Sequence, residues 1–154
     1  MKTLDIIVRG VPKPQSRPRV TVNGTYSSAS DALKAWRRTV RAAASGKAME
    51  AGTLSCVVVF GLPTKEKRRH GRLHSARPDF DNLAKAVLDA IQPDRQPSRE
   101  AFPLIDDSLI ASAWIVKIYS PIGFARVILE RVDTIGEACE AINRATETVA
   151  ELEK

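Results

Sequence analysis

The segment Leu54-Ser55-Cys56-Val57-Val58-Val59-Phe60-Gly61-Leu62 leaves this chain the fewest choices. Cys56, Val57, Val58, Val59 and Phe60 are good strand formers, so residues 54–62 predict a strand. A strand needs neighbours, so the chain must build a sheet around it. Residues 57–62 are also the longest unbroken apolar stretch. That is far short of the ~20 residues a membrane span requires. At the N-terminus, Lys2 and Asp5 arrive too soon for a signal peptide's apolar region. Cys56 and Cys139 are too few and too far apart for a zinc site or a disulfide framework. The expectation is a reduced, cytoplasmic protein with no membrane partner.

Other elements follow from local pattern. Residues 4–9 read as a short β-branched strand ended by Gly10 and Pro12. Residues 12–19 hold three prolines and three bases and no acid. Proline removes donors and restricts its neighbours, so this stretch is an extended basic arm, not a helix. Asn23-Gly24 signals a turn. Ser30 caps a helix running to about Ser45, with Gly46 as its stop. Residues 65–74, with Arg77 just beyond, are basic and polar with no apolar period, and predict a mobile loop. Phe80, Leu83, Ala84, Val87, Leu88 and Ile91 fall at helical spacing up to Pro93. Residues 93–103 form a second proline-punctuated loop. Residues 108–119 and 123–132 predict a hairpin of two strands around Ser120 to Gly123. Residues 133–152 predict a last helix, with Ile135, Ala138, Cys139, Ile142, Ala145, Val149 and Leu152 on one stripe. Strands and helices alternate early and a strand pair comes late. The fold expected is α+β: a mixed β-sheet with helices packed on it, in a single compact domain. A length of 154 residues with 44% hydrophobic content suits one domain with a real core.

Charge narrows the partner. The chain carries a net +6. From Asp133 to Lys154 six acids face two bases, a net of −4, which leaves +10 on the first 132 residues. A compact body that basic suggests a polyanion, and nucleic acid is the commonest one. A merely soluble basic protein is the plainer alternative.

The chemistry concentrates in carboxylates. Asp79 and Asp81 are two apart, and Pro78 favours an extended entry in which such residues point to the same side. Two carboxylates on one side suit Mg²⁺, which takes one or two of them and keeps several waters. A third carboxylate from a neighbouring strand end would complete the site, and Asp106-Asp107 opens the next strand. A metal held so can orient a water, lower its pKa and stabilise charge on phosphate. Plainer readings stand beside this one. Acids in a helix's first turn are favoured by capping and by the helix dipole. Asp106-Asp107 can be a turn. Lys85 can simply pair with Asp81 and Asp89 one turn away on each side. His70 and His74 lie in the basic loop and are left out of the metal site.

At these residues the chain resembles a known family. Pro78-Asp79-Phe80-Asp81-Asn82-Leu83-Ala84-Lys85, followed by Asp106-Asp107 before a strand, is similar to the signature of the RusA Holliday-junction resolvases of bacteria and their prophages. The arm Pro12 to Val20 resembles the family's proline- and arginine-rich segment. The similarity spans residues 6–127. It implies a homodimeric, Mg²⁺-dependent endonuclease, with Mn²⁺ as a possible substitute, that nicks four-way junction DNA symmetrically in recombination and repair. The family's three essential acids fall on Asp79, Asp81 and Asp107, and its essential lysine on Lys85. Asp106 takes a supporting role. The resemblance divides the chain into a nuclease body, residues 1–132, and a C-terminal helical extension of the same domain, residues 133–154. The loop at residues 92–104 is longer than the family pattern leads one to expect, and the acidic last helix is an addition to it.

The mechanism expected is phosphodiester hydrolysis by metal-activated water, with Asp79, Asp81 and Asp107 holding Mg²⁺ and Lys85 neutralising the scissile phosphate or orienting the water. Arg17, Arg19, Lys67, Arg68, Arg69 and Arg72 are candidates for DNA-backbone contacts. A twofold dimer fits a junction, because two matched sites can cut two symmetry-related strands. Two other classes compete. A metal-dependent phosphohydrolase of small substrates would share the carboxylates but need no basic arm. A non-catalytic junction-binding protein would keep the arm and show no metal-dependent turnover.

Overall fold

The computed structural model describes residues 2–16, 19–22, 24–26, 29–92 and 106–150. Its centre is a four-stranded mixed sheet with spatial order β1-β6-β4-β5. The strands are β1 (Thr3–Arg9), β4 (Leu54–Pro63), β5 (Ile110–Ser120) and β6 (Phe124–Arg131). Two short strands, β2 (Arg19–Thr21) and β3 (Gly24–Tyr26), pair as a separate ribbon. Among the described residues three α-helices complete the fold: α1 (Asp31–Ala44), α2 (Phe80–Ala90) and α3 (Ile135–Ala150). The expected α+β class, a mixed sheet with packed helices in one compact domain, is what the chain adopts. No helix among the described residues is long and apolar enough to cross a membrane.

β4 explains the arrangement. All of its residues but Pro63 are buried. Leu54, Cys56, Val58 and Phe60 pack toward α1 and α2, while Val57 and Val59 pack under α3. A strand buried on both faces belongs in the middle, with a ladder on each edge. β4 accordingly pairs with β5 in parallel and with β6 antiparallel. This overturns the expected hairpin. β5 and β6 are consecutive but not neighbours, because β4 lies between them. Their connection spans two inter-strand spacings, about 9.6 Å. Pro121 and Ile122 make that crossing, and Gly123 closes it against the end of β1. A Cβ on Gly123 would sit 2.7 Å from the Val11 backbone, and its carbonyl accepts from Gly10 N–H at 3.0 Å.

The helix ends follow their local chemistry. Ser30 Oγ accepts from Leu33 N–H at 3.2 Å to start α1, and Gly46 at φ +74° stands just past its end. α1 buries Leu33, Trp36, Val40 and Ala44 on the sheet. α2 buries Leu83, Ala84, Ala86, Val87 and Ala90 beside it. Phe80, expected on that apolar stripe, instead stands 54% exposed at the helix start. It occupies the first helical position, where the helix has not yet reached the sheet's core.

α3 covers the other face. Thr134 Oγ1 accepts from Glu137 N–H at 3.2 Å, and the Glu137 carboxylate reaches back to Asp133 N–H at 2.8 Å. The expected stripe needs correcting. Ile135 is 85% exposed and Cys139 is exposed, whereas Ala138, Ala141 and Ala145 are buried. Small residues let the helix lie close on the sheet, with Ile142 and Val149 packing at the margins. A buried Arg126 from β6 ties the layers together. It pairs with Asp5 on β1 and donates to Thr148 O at 3.3 Å.

The basic segment after β4 is not the free loop the sequence suggested. It forms a 3₁₀ turn at Lys67–Arg69 and then runs along the outer edge of β5. Gly71 N–H donates to Tyr119 O and Tyr119 N–H to Arg72 O, both at 2.9 Å. His74 N–H donates to Lys117 O at 2.8 Å, and Leu73 bridges Ile118. The strand's open hydrogen-bonding groups, not an apolar period, hold this segment.

Candidate active site

Asp79 is the N-cap residue of α2, in extended backbone at φ −67°, ψ 140°. Pro78 keeps Arg77, the residue before it, out of helix, and α2 begins at the residue after Asp79. Asp79's side chain makes no capping hydrogen bond, so the plain helix-cap reading does not account for its carboxylate. Asp81 lies in the helix's first turn. The two acids therefore do not share a face by strand alternation, as the sequence argument supposed. They share it because the N-cap and the first turn open onto one pocket of about 500 Å³. Arg77, Phe80, Lys117, Ser75 and Ala76 line the rest of it.

A second hollow of about 530 Å³ adjoins the first and shares Arg77 and Asp79 with it. Its far wall is Pro14 and Gln15 of the N-terminal arm. The arm is docked there: Gln15 N–H donates to Asn82 O at 2.8 Å. The Gln15 side chain accepts from Arg37 of α1, and Arg37 also reaches Asp89 at 3.4 Å. Arg37 is thus turned inward as a bracket between arm and α2.

Lys85 stands one turn beyond Asp81, and its ammonium pairs with Asp89 at 3.2 Å. Asp89 receives both Lys85 and Arg37, which gives that acid a structural role. The i, i+4 pair is exposed on its lysine side and worth only a few tenths of a kcal/mol, so it holds Lys85 loosely.

Asp107 is not brought to this pocket. It opens a 3₁₀ turn, Asp107–Leu109, at the start of β5. Lys117, which lines the Asp79 pocket, lies near the end of the same strand. At about 3.3 Å per residue, the stretch from Ile110 to Lys117 puts more than ~20 Å between the two ends. Among the described residues, no three His, Cys, Asp or Glu side chains gather closely enough to hold a metal ion. Asp106 caps the turn, its Oδ1 accepting from Ser108 N–H at 2.8 Å. Hydrogen bonds from the Ser108 side chain and backbone hold the Asp106 carboxyl below its ordinary pKa. The two described acids that meet, Asp79 and Asp81, match the donor set Mg²⁺ accepts: one or two carboxylates, with waters and substrate oxygens filling the rest.

Of the candidate DNA contacts, Arg17 lies outside the described residues, as does the side chain of Arg19; the Arg19 backbone begins β2. Residues 93–105 of the second proline loop are outside them too. Lys67, Arg68, Arg69 and Arg72 border the outer edge of β5. Arg68 and Arg69 both pair with Glu66, at 3.2 and 2.9 Å. Arg69 also lies 5.3 Å from the centre of the Tyr119 ring. His70 and His74 belong to this scaffold rather than to solvent. A His70 ring nitrogen meets Thr64 O at 3.0 Å, and His74 packs at a tilt of 46° against Tyr119 with 4.4 Å between ring centres. Burial, then the charges of Lys117 and Arg69, hold the His74 pKa below the usual histidine value.

Sequence reasoning missed Lys117, Arg77 and Gln15 as parts of the site. The available signal for Lys117 was a single cation inside the strand Ile110–Ser120. Arg77 is adjacent to the acidic motif, and nothing local in Gln15 marks it.

The family described as Endodeoxyribonuclease RusA matches residues 9–130. No curated protein matches the chain.

Proposed function

The chain belongs to the RusA endodeoxyribonuclease family, and from that premise we propose how its residues cut DNA. The family assignment makes it a crossover junction resolvase, a nuclease acting on four-way junction DNA, with the divalent-metal dependence general to that family. The finer reading is ours. Asp79 and Asp81 hold Mg²⁺, with Mn²⁺ able to replace it. Lys85 neutralises the scissile phosphate or orients the attacking water. Arg17, Arg19, Lys67, Arg68, Arg69 and Arg72 grip the DNA backbone. The protein works as a homodimer in the cytoplasm, in recombination and repair. Residues 1–132 form the nuclease body and residues 133–154 its helical extension.

One observation carries this reading: Asp79 and Asp81 open onto one pocket, and the arm walls the hollow that adjoins it at Asp79. A divalent cation bound there would activate water for attack on the phosphodiester and stabilise the leaving oxygen. The protein's own part is to fix the two carboxylates at a helix start, and to bring backbone-binding cations along the β5 edge beside them. Those contacts give affinity without sequence information. Asp107 keeps its place as a third acid on the family resemblance alone, since its own chain holds it at the opposite end of β5. A small-substrate phosphohydrolase would leave the arm's docking beside Asp79 without purpose. The test is a labelled four-way junction incubated with the purified protein, with and without Mg²⁺. Paired nicks that need the metal are expected. Junction binding with no metal-dependent nicking would move the protein to the non-catalytic class.

A further inference from the structure

We propose that Lys117 is a positioning residue: it holds the backbone that presents Asp79 to the metal. This rests on the reading of Asp79 and Asp81 as metal-holding acids. Lys117 projects from β5, between Val116 and Ile118. Its Nζ donates to Ala76 O at 2.7 Å and to Pro78 O at 2.7 Å. The Pro78 carbonyl belongs to the peptide group that joins Pro78 to Asp79, so the second bond fixes the plane from which Asp79 departs. The segment is anchored on either side as well. His74 N–H donates to the Lys117 carbonyl, and the Asp79 carbonyl accepts from Leu83 N–H at 3.2 Å to open α2. One residue of β5 thus grips the approach to the acid through both its backbone and its side chain.

A lysine in a nuclease pocket would ordinarily be assigned to phosphate. The geometry points elsewhere. An ammonium has three donors, and two of these are spent on carbonyls at short, charge-assisted distances. Lys117 therefore acts through Asp79 and not on the DNA. Groups that orient a metal ligand from behind are worth about 10–100-fold in metal affinity or activity.

The experiment replaces Lys117 with methionine, which keeps an unbranched stem in the strand and removes the donors. Mn²⁺ binding to the full-length, DNA-free protein is read by calorimetry, junction binding without metal by gel shift, and backbone exposure by amide hydrogen exchange. Lys117→Met is expected to weaken Mn²⁺ binding by about 10–100-fold, to speed exchange locally across residues 76–81, and to leave metal-free junction binding unchanged. Lys117→Arg, which restores two donors, should recover most of the metal affinity. Unchanged metal affinity in Lys117→Met overturns the proposal, as does loss of junction binding with metal affinity intact. If Lys117→Met does not fold, Lys117→Arg decides by two readouts together: Mn²⁺ affinity and amide exchange across residues 76–81 that change in step, or are both preserved, support the role, and faster exchange with affinity intact, or lost affinity with exchange intact, refutes it. Asp79→Asn is the control. Should it bind Mn²⁺ as the wild type does, the metal-site reading fails rather than the role of Lys117.

Discussion

The two ends of β5 treat acids differently. Near its C-terminal end, Lys117 reaches the chain before α2, and Asp79 and Asp81 open onto a shared pocket beside the hollow that the arm walls. At its N-terminal end, Asp106 is spent on capping the 3₁₀ turn that Asp107 opens, and among the described residues no group of three potential ligands forms around Asp107. Sequence alone presents both as paired carboxylates next to a regular element. The difference is what surrounds them. Two carboxylates that open onto the same space suit a metal, whereas a carboxylate whose nearest donor is its own backbone serves as a structural cap.

The largest effect that can break this contrast is at the pocket. Asp81→Asn should abolish cleavage while retaining junction binding, because it removes a charge with little change of shape. Asp79→Asn should behave alike. A cleavage rate near wild type in a gel assay would empty the pocket of its assigned chemistry.

Next comes Asp107→Asn. If only the pocket end matters, its cleavage rate stays well above that of Asp81→Asn. Equal loss would show that Asp107 reaches a site its own chain does not bring it to. Mixing Asp81→Asn and Asp107→Asn subunits then locates it: regained nicking means that the acid comes from the second copy.

A middle-sized effect concerns the basic turn beside Tyr119, at the C-terminal end of β5. Replacing Lys67, Arg68 and Arg69 together with alanine should lower the log–log salt slope of junction binding by about two to three units, if each neutralises one phosphate. An unchanged slope would show that this turn stays clear of DNA, with Glu66 and Tyr119 as its real partners.

The smallest effect is at the capped acid. Asp106→Asn should lower the melting temperature slightly at neutral pH and leave cleavage nearly untouched. Hydrogen bonds from Ser108 favour the charged form and lower its pKa in the folded chain. That contribution is present above the unfolded aspartate value of about 3.9 and fades as pH falls through the folded value. The melting difference between Asp106→Asn and wild type should therefore vanish in acid. A gap that persists there would mean that the cap is not what Asp106 supplies.

Much of this was legible in sequence for identifiable reasons. The strand at β4, the cap at Ser30 and the apolar spacing of Leu83, Ala84 and Val87 are local signals, and local physics satisfied them. Asp79 and Asp81 were legible as a pair, though for the wrong geometric reason. The order of the last two strands was not, because a short link reads alike whether its strands pair directly or straddle a third. The edge pairing of residues 71–74 was hidden, since backbone groups make it and side-chain pattern does not report them. Lys117 and Gln15 were hidden because their partners are distant in sequence. Their roles exist only once β5, α2 and the arm are assembled.

The strand order has a consequence for how the molecule is made. β6 pairs along β1 on one side and along β4 on the other. Until Arg131 has left the ribosome, β1 and β4 have no ladder to share, and one edge of the most apolar strand stays open. Contacts this far apart in sequence slow folding and expose sticky edges while the chain waits. The nascent protein is therefore most vulnerable to aggregation after β4 has emerged and before β6 arrives. In that interval residues 64–123 are synthesised, including the motif that carries Asp79 and Asp81. Slow translation or a bound chaperone would matter most there. A late-closing sheet also makes the finished fold cooperative, since no strand on the β1 side can stay ordered once β6 is withdrawn.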